Sequence, residues 1–419
     1  MLSKAIREDL SLDILKLWIS RIAFYLVLFL VVFGVSSYII MQFGPPSYDV
    51  ASARYMISAL IQSEAAIMAI IVTLSLVAVE MASSSYSVRM IGLLKSYNPD
   101  FWILMVIYIL SMTYSLFVLK SLPGFGNSFD TQFHISFVFH TGVYSFLILF
   151  PYLFRTLRML RPSTLLNMQA MKLTAKSITT DVRSSATREK DPMQAIVDII
   201  STSFLNHDFE TTRNGLNIIT LRAKDILTQE GLESTDRKIV ANYIFSRMAR
   251  FGKFTLKHNE EDATFIVIEK LELIWDELYK SDPAESILQA SSSLEQIGKA
   301  AADIDQKDVL HTVVNYLYDQ GQMAIYGGYD GETSRVIDSL ASVGMSCVEK
   351  RTDPLIIENI VRNIGRLGIK ASELDRTASV SQSMESLEAL KDSMELIGTP
   401  DYQRLCKKAG DLAMSVDWN

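Results

Sequence analysis

Four long apolar stretches fill the first third of this chain and limit its options more than any other feature. They run about 22–41, 56–81, 101–119 and 133–154. A helix needs about 20 mostly apolar residues to cross a bilayer, and each stretch reaches or approaches that length. The first carries no charge, and it is too long and lacks the small-residue cleavage site of a signal peptide. Residues 1–160 are therefore expected to form a four-span transmembrane domain.

Charge separates this part from the rest. Residues 1–154 hold eight basic and eight acidic side chains, so the net charge of −7 falls entirely in the remainder. That balance argues against nucleic acid as a partner. Lys4, Arg7, Lys16 and Arg21 precede the first span, Arg89 and Lys95 lie between the second and third, and Arg155, Arg158 and Arg161 follow the fourth. The other two loops offer only Arg54 and Lys120. Basic flanks mark the inner side, which predicts a multi-pass protein of the cell membrane with both termini cytoplasmic. Asn98-Pro99-Asp100 reads as the start of the third helix, with a cap, a proline at the first position and an acid in the first turn.

The second span is the most informative. At 3.6 residues per turn, Ser58, Gln62, Ala66, Ala69, Thr73, Glu80, Ser84 and Ser87 share one small, weakly polar stripe. Such a stripe suits close helix packing. It equally suits a pore wall built from several copies, with Glu80 forming a carboxylate ring that favours cations. Glu64 lies on the opposite face. An ionisable group inside a span is costly and seldom idle, and His140 of the fourth span sits at similar depth. A Glu64–His140 contact is expected either to hold the bundle or to sense pH.

Residues 161–419 read as a large cytoplasmic domain of helices throughout, making the whole chain all-α. Apolar positions three and four apart recur in ten runs, from about 192–205 to 401–415. Asp-Pro pairs at 191, 282 and 353 mark helix starts, and the polar stretch 179–190 is the linker candidate. Leu294-Glu295-Gln296-Ile297-Gly298 resembles Leu340-Ala341-Ser342-Val343-Gly344 at a 46-residue offset. A helix-pair solenoid and a plain bundle both fit.

No enzyme is predicted. The five histidines are scattered, and the glycine-rich segment 326–331 lacks the Lys-Ser/Thr end of a phosphate loop. Two cysteines give no disulfide framework and no zinc spacing. No cofactor is expected; Ca²⁺ is the regulatory metal that the acidic domain would suit, though no EF-hand pattern is present. Asn206-His207-Asp208 is expected to cap the helix that follows.

Tyr86-Ser87-Val88-Arg89 resembles the aromatic-Ser-Pro-Arg motif that follows the second span in a large prokaryotic family of uncharacterised membrane proteins. Asp191-Pro192 and the segment from Asn206 and Asp208 to Thr211 resemble that family's Asp-Pro and Asn-Asp-Pro-x-Thr segments. Val88 and Phe209 stand where the family has proline. The resemblance covers about residues 55–230 and implies the same order of spans, basic exit and helical domain. It implies no activity.

The function these features favour is an oligomeric, cation-conducting channel, its pore lined by the second span and gated through the cytoplasmic helices. Its expected partners are the bilayer, further copies of itself, inorganic ions and a cytoplasmic protein or ligand. The alternative is a membrane-anchored helical scaffold or sensor that recruits protein partners.

Overall fold

The computed structural model describes residues 2–43, 50–85, 99–122, 129–159, 161–183 and 191–417. Among them are sixteen helices and no strand. They divide into two compact units, Met1–Leu165 and Leu166–Asn419.

The first unit holds α1 (Leu2–Phe43), α2 (Val50–Ser85), α3 (Pro99–Ser121) and α4 (Phe129–Met159). All four are long and apolar enough to cross a membrane. At 1.5 Å per residue, the 36 residues of α2 extend about 54 Å, well beyond a hydrocarbon core of about 30 Å. α2 packs on α3 and α4, α3 on α4, and α1 on α3 and α4. One apolar cluster joins Tyr25, Ile67, Ile71, Leu104, Tyr108, Ile148 and Tyr152. A second joins Ala53, Ile57, Val118, Leu122, Ile135 and Val138. At Gly142 the helices approach so closely that a Cβ would stand 2.8 Å from Leu60 Cδ2. Pro151 lies inside α4, which continues to Met159.

The second unit follows α5 (Pro162–Ala170) with α6 (Ala175–Arg183), α7 (Gln194–Leu205), α8 (Phe209–Leu227), α9 (Ser234–Lys257), α10 (Glu261–Ser281), α11 (Pro283–Asp303), α12 (Lys307–Gly327), α13 (Asp330–Lys350), α14 (Pro354–Glu373), α15 (Thr377–Glu395) and α16 (Pro400–Asp417). From α9 onward each helix packs on its sequence neighbours and on the helix two places along. α9, α11, α13 and α15 form one layer, and α8, α10, α12, α14 and α16 the other. This serial stacking of pairs is the solenoid arrangement rather than a closed bundle.

The repeat is physical as well as textual. Turns after α9, α11 and α13 pass through left-handed residues Asn259, Asp305 and Arg351, 46 residues apart, with φ of 57°, 55° and 55°. A Cβ on Gly252 would meet Ile297 at 2.9 Å, one on Gly298 would meet Val343 at 2.9 Å, and one on Gly344 would meet Leu390 at 3.0 Å. Each glycine thus receives a side chain from the next helix of its own layer. Asp282 and Asp353 cap α11 and α14, accepting from Glu285 N at 3.2 Å and Leu355 N at 3.0 Å. Prolines follow both caps, where the missing N–H costs nothing.

Two expectations need correction. The stretch 179–190 does not begin as a linker, because Thr179 is buried within α6, which packs against α9; residues 184–190 lie outside the described residues. Asp191 stands three residues before α7, which starts at Gln194; its carboxylate accepts from Met193 N, as that of Asp353 does from Leu355 N, but it also turns to partners of its own.

Candidate functional site

The two faces of α2 differ sharply. Gln62, Ala66, Ala69, Thr73 and Glu80 are exposed, and Ser58 is half-buried. Steps of four, three and four residues keep the first four on one helical stripe. The Thr73 hydroxyl donates to Ala69 O at 2.9 Å, which satisfies it within the helix. Ser84 lies in the last turn of α2, and its side chain, like all of Ser87, lies outside the described residues. The outward faces of the other three helices are built differently. α1 shows Leu26, Val27, Leu30 and Val31, α3 shows Val106, Ile109, Leu110 and Phe117, and α4 shows Phe146, Leu147, Phe150 and Phe154. Ile70 and Leu76 border the stripe on α2, and the exposed Tyr55 and Val77 lie on it before Ser58 and after Thr73; between Ser58 and Thr73 its centre line stays small or polar over about four turns.

The inward face carries Glu64, only 1% exposed. Ser111 Oγ donates to Glu64 Oε1 at 2.7 Å and Ser145 Oγ donates to the same oxygen at 3.0 Å. Ser145 Oγ also lies 2.9 Å from Thr141 O. Oε2 is buried without a hydrogen-bond partner among the described residues. The expected Glu64–His140 hydrogen bond is not formed. His140 Nδ1 lies 2.6 Å from Ser36 Oγ of α1, and His134 Nδ1 lies 2.7 Å from the Tyr114 hydroxyl. Residues 140 and 145 are separated by well over a third of a helical turn around α4. Hence Gly142 and Ser145 meet α2 while His140 meets α1.

A second buried acid was not evident from the sequence. Asp100, expected only to favour the start of α3, is 1% exposed, and its Oδ2 lies 2.9 Å from Arg155 Nε of α4. Arg21 and Tyr25 of α1 act on the same carboxylate, so three helices converge there. Arg21 in α1 and Arg155 in α4 were visible in the sequence, but their shared partner was not legible without the packing.

In the C-terminal unit Asp191 is the counterpart. Its carboxylate accepts from the Tyr243 hydroxyl and from Met193 N, and pairs with Arg247. Burial pushes the Tyr243 phenol above its ordinary value. The network borders an open cavity of 610 Å³ lined also by Asp181, Gln194, Asp198, Arg250 and Phe254. Of the remaining family-motif positions, Asp208 caps α8 by accepting from Thr211 N at 3.0 Å, as the capping reading requires. Tyr86, Ser87 and Arg89 lie outside the described residues.

The glycine-rich segment is a turn. Gly328 ends α12 in the left-handed region, with φ 81°, and Asp330 accepts from Ala378 N and Ser379 N at 3.1 and 3.0 Å. Cys347 is fully buried, and burial pushes its thiol up to about 11, far from reactive thiolate character. Among the described residues no group of three or more His, Cys, Asp or Glu is placed to hold a metal ion.

No family model matches this chain, and no curated protein matches it. Among solved structures, one described as a circular tandem repeat protein with novel repeat topology and enhanced subunit contact surfaces is 12% identical. It aligns over 88% of this chain and 97% of that one, with a TM-score of 0.37. Another, from work on computational design of self-assembling cyclic protein homooligomers, is 15% identical over 61% of this chain and 95% of that one, with a TM-score of 0.24. Both likenesses are too loose to establish a shared fold.

Proposed function

We propose that this chain is one subunit of an oligomeric membrane channel for cations, with the outward face of α2 lining the pore. The observation that carries this reading is the contrast between the faces. Three helices turn large apolar side chains outward, as contact with lipid requires, whereas on α2 a line of Gln62, Ala66, Ala69 and Thr73 runs between the exposed Tyr55, Ile70, Leu76 and Val77. Small residues let backbones approach, and polar ones need a partner or water. A second copy of α2 supplies the first, and a ring of copies around an axis supplies the second. The small and polar line from Ser58 to Thr73 rises about 22 Å, most of a hydrocarbon core of about 30 Å, before the exposed Val77 interrupts it. Glu80, exposed beyond the apolar window of α2, would stand at the inner mouth and favour cations.

The bias of Lys and Arg supports cytoplasmic termini, and on that topology the stacked helix pairs are the part that senses a ligand or partner. The resemblance of Tyr86-Ser87-Val88-Arg89 to a family of membrane proteins supports this order of parts. The scaffold reading is favoured by one feature of its own. The stacked pairs present exposed apolar side chains, including Tyr326, Leu355 and Leu396, and stacked helix pairs commonly offer surfaces for protein binding.

Reconstitution in planar bilayers separates the two. The channel reading expects discrete currents whose cation preference falls in Glu80→Gln. Silence across voltage, tension, pH and Ca²⁺, together with a monomer in detergent, would leave the scaffold.

A further inference from the structure

We propose that Glu64, with Ser111 and Ser145, is a loading site for one small monovalent cation, a proton or a sodium ion, inside each subunit. The inference rests on the reading that α2, α3 and α4 cross a bilayer, but it does not require the chain to conduct.

Charge balance drives the argument. Glu64 is 1% exposed, Ser111 4% and Ser145 0%. Two hydroxyls donate to Oε1, yet neutral donors cannot cancel a full charge at membrane depth, where an isolated carboxylate is strongly disfavoured. Among the described residues no basic side chain fills that role. α2 packs on α3 and α4. α3 faces Glu64 with Ser111 and brings Tyr108, whose hydroxyl is bonded to Ser145 O at 2.5 Å. α4 faces it with Ser145, while Tyr144 bonds Tyr25 O of α1 and His140 bonds Ser36 of α1. Lys120 is nine residues from Ser111, about 13 Å along α3, and Arg155 is ten residues from Ser145, about 15 Å along α4. Arg155 is also committed to Asp100.

The positive charge must therefore come from outside the chain, and the geometry leaves it one place. Oε2 is buried and has no hydrogen-bond partner among the described residues. A proton binds there by forming the O–H bond of a neutral carboxyl. A sodium ion binds between that oxygen and the lone pairs of the two serine hydroxyls, which rotate to present oxygen instead of hydrogen. Both ligands are small monovalent cations that pair with a carboxylate and neutral oxygens. Release of either leaves an uncompensated charge in the bundle, so loading and helix packing are coupled.

Two measurements test this on the full chain in lipid nanodiscs. A lipophilic carbodiimide, which modifies protonated carboxyls within membranes, is followed by mass at the Glu64 peptide. Infrared difference spectra, which need no reagent access, follow the carboxylic carbonyl stretch against Glu64→Gln. With a proton as ligand, the stretch is present in neutral, sodium-free buffer, the modification declines as pH rises, and sodium has no effect. With sodium as ligand, both signals fall when sodium but not potassium is added, and Ser111→Ala with Ser145→Ala removes that protection. A carboxylate band unchanged by acid or sodium, with no modification, overturns the proposal. Bilayer silence alone would sink the channel while leaving these signals intact.

Discussion

The two units differ most in what they expose. Inside the four-helix unit lie Glu64, Asp100, Ser111, His140 and Ser145, while Leu110, Phe117 and Phe154 are exposed. Inside the paired helices lie Ile, Leu and Val at every layer, with Lys, Arg and Glu forming bridges between neighbouring pairs on the surface, such as Lys307–Asp353 and Arg404–Glu358. That difference of surface is what apolar and aqueous surroundings respectively demand. Each unit also has a place that departs from this pattern: the small and polar line on α2 in the first, and the buried carboxylate of Asp191 in the second. Breaking a rule costs stability, so these are the places to probe.

The largest effect is expected at Asp191. Asp191→Ala removes the buried acceptor of the Tyr243 hydroxyl and of Met193 N, and one partner of Arg247, at a cost of about 3 kcal/mol. Thermal unfolding followed by circular dichroism should show an early transition from the C-terminal unit. An unchanged melt would mean that the network is solvated and structurally idle.

Glycines sharpen the contrast between the units. Gly298→Ala forces a Cβ against Val343 and Val313, at 2.9 and 3.0 Å, and should destabilise by about 2 kcal/mol through overpacking. At Gly34 of α1 a methyl group would enter open space, with nothing within 4 Å among the described residues. Gly34→Ala should instead gain about 0.5–1 kcal/mol of helix stability. Equal responses at the two positions would remove the distinction between tight and open helix contacts.

Association comes next. Ala66→Leu roughens the outward stripe of α2 and should weaken self-association about tenfold, or about 1.4 kcal/mol. Leu110→Ala on the outward face of α3 should leave it unchanged. Sedimentation in detergent reads both, and the reverse ranking would move the interface to α3.

The smallest effect is electrostatic. A hydrogen bond from Lys408 holds the Glu358 carboxyl below its ordinary value, with further help from Arg362 and Arg404. A depressed carboxyl contributes stability above its unfolded value of about 4.3 and loses it as pH falls through the folded value. Exposed partners limit this to under about 1 kcal/mol. The melting difference between wild type and Glu358→Gln should therefore be present at neutral pH and vanish in acid; a difference that persists in acid would point to packing.

Much of this architecture is legible in the order of residues. Apolar spacing located α7 to α16 to within a few positions, because amphipathic helices bury one face and that face writes its period into the chain. The stripe on α2 was legible for the same reason, down to Gln62, Ala66, Ala69 and Thr73. Partner choice was not. Glu64 bonds residues 47 and 81 positions away, and the rival His140 is excluded only by which side of α4 meets α2. Asp191 bonds a tyrosine 52 positions away, and nothing in an Asp-Pro pair distinguishes it from the capping aspartates at 282 and 353. Periodicity reports that a face is buried, and only packing reports against what.

The glycine contacts of the paired helices have a consequence for how such a chain can change length. Ile297, which covers Gly252, is followed directly by Gly298, and Val343, which covers Gly298, is followed directly by Gly344. Plug and socket sit side by side on α11 and on α13. Removing residues 259–304 would join His258 to Asp305, one left-handed turn residue taking the place of another, and would bring Val343 over Gly252 where Ile297 had been. The joint is interchangeable, so whole pairs can be gained or lost in a single genetic event without a new contact having to be invented.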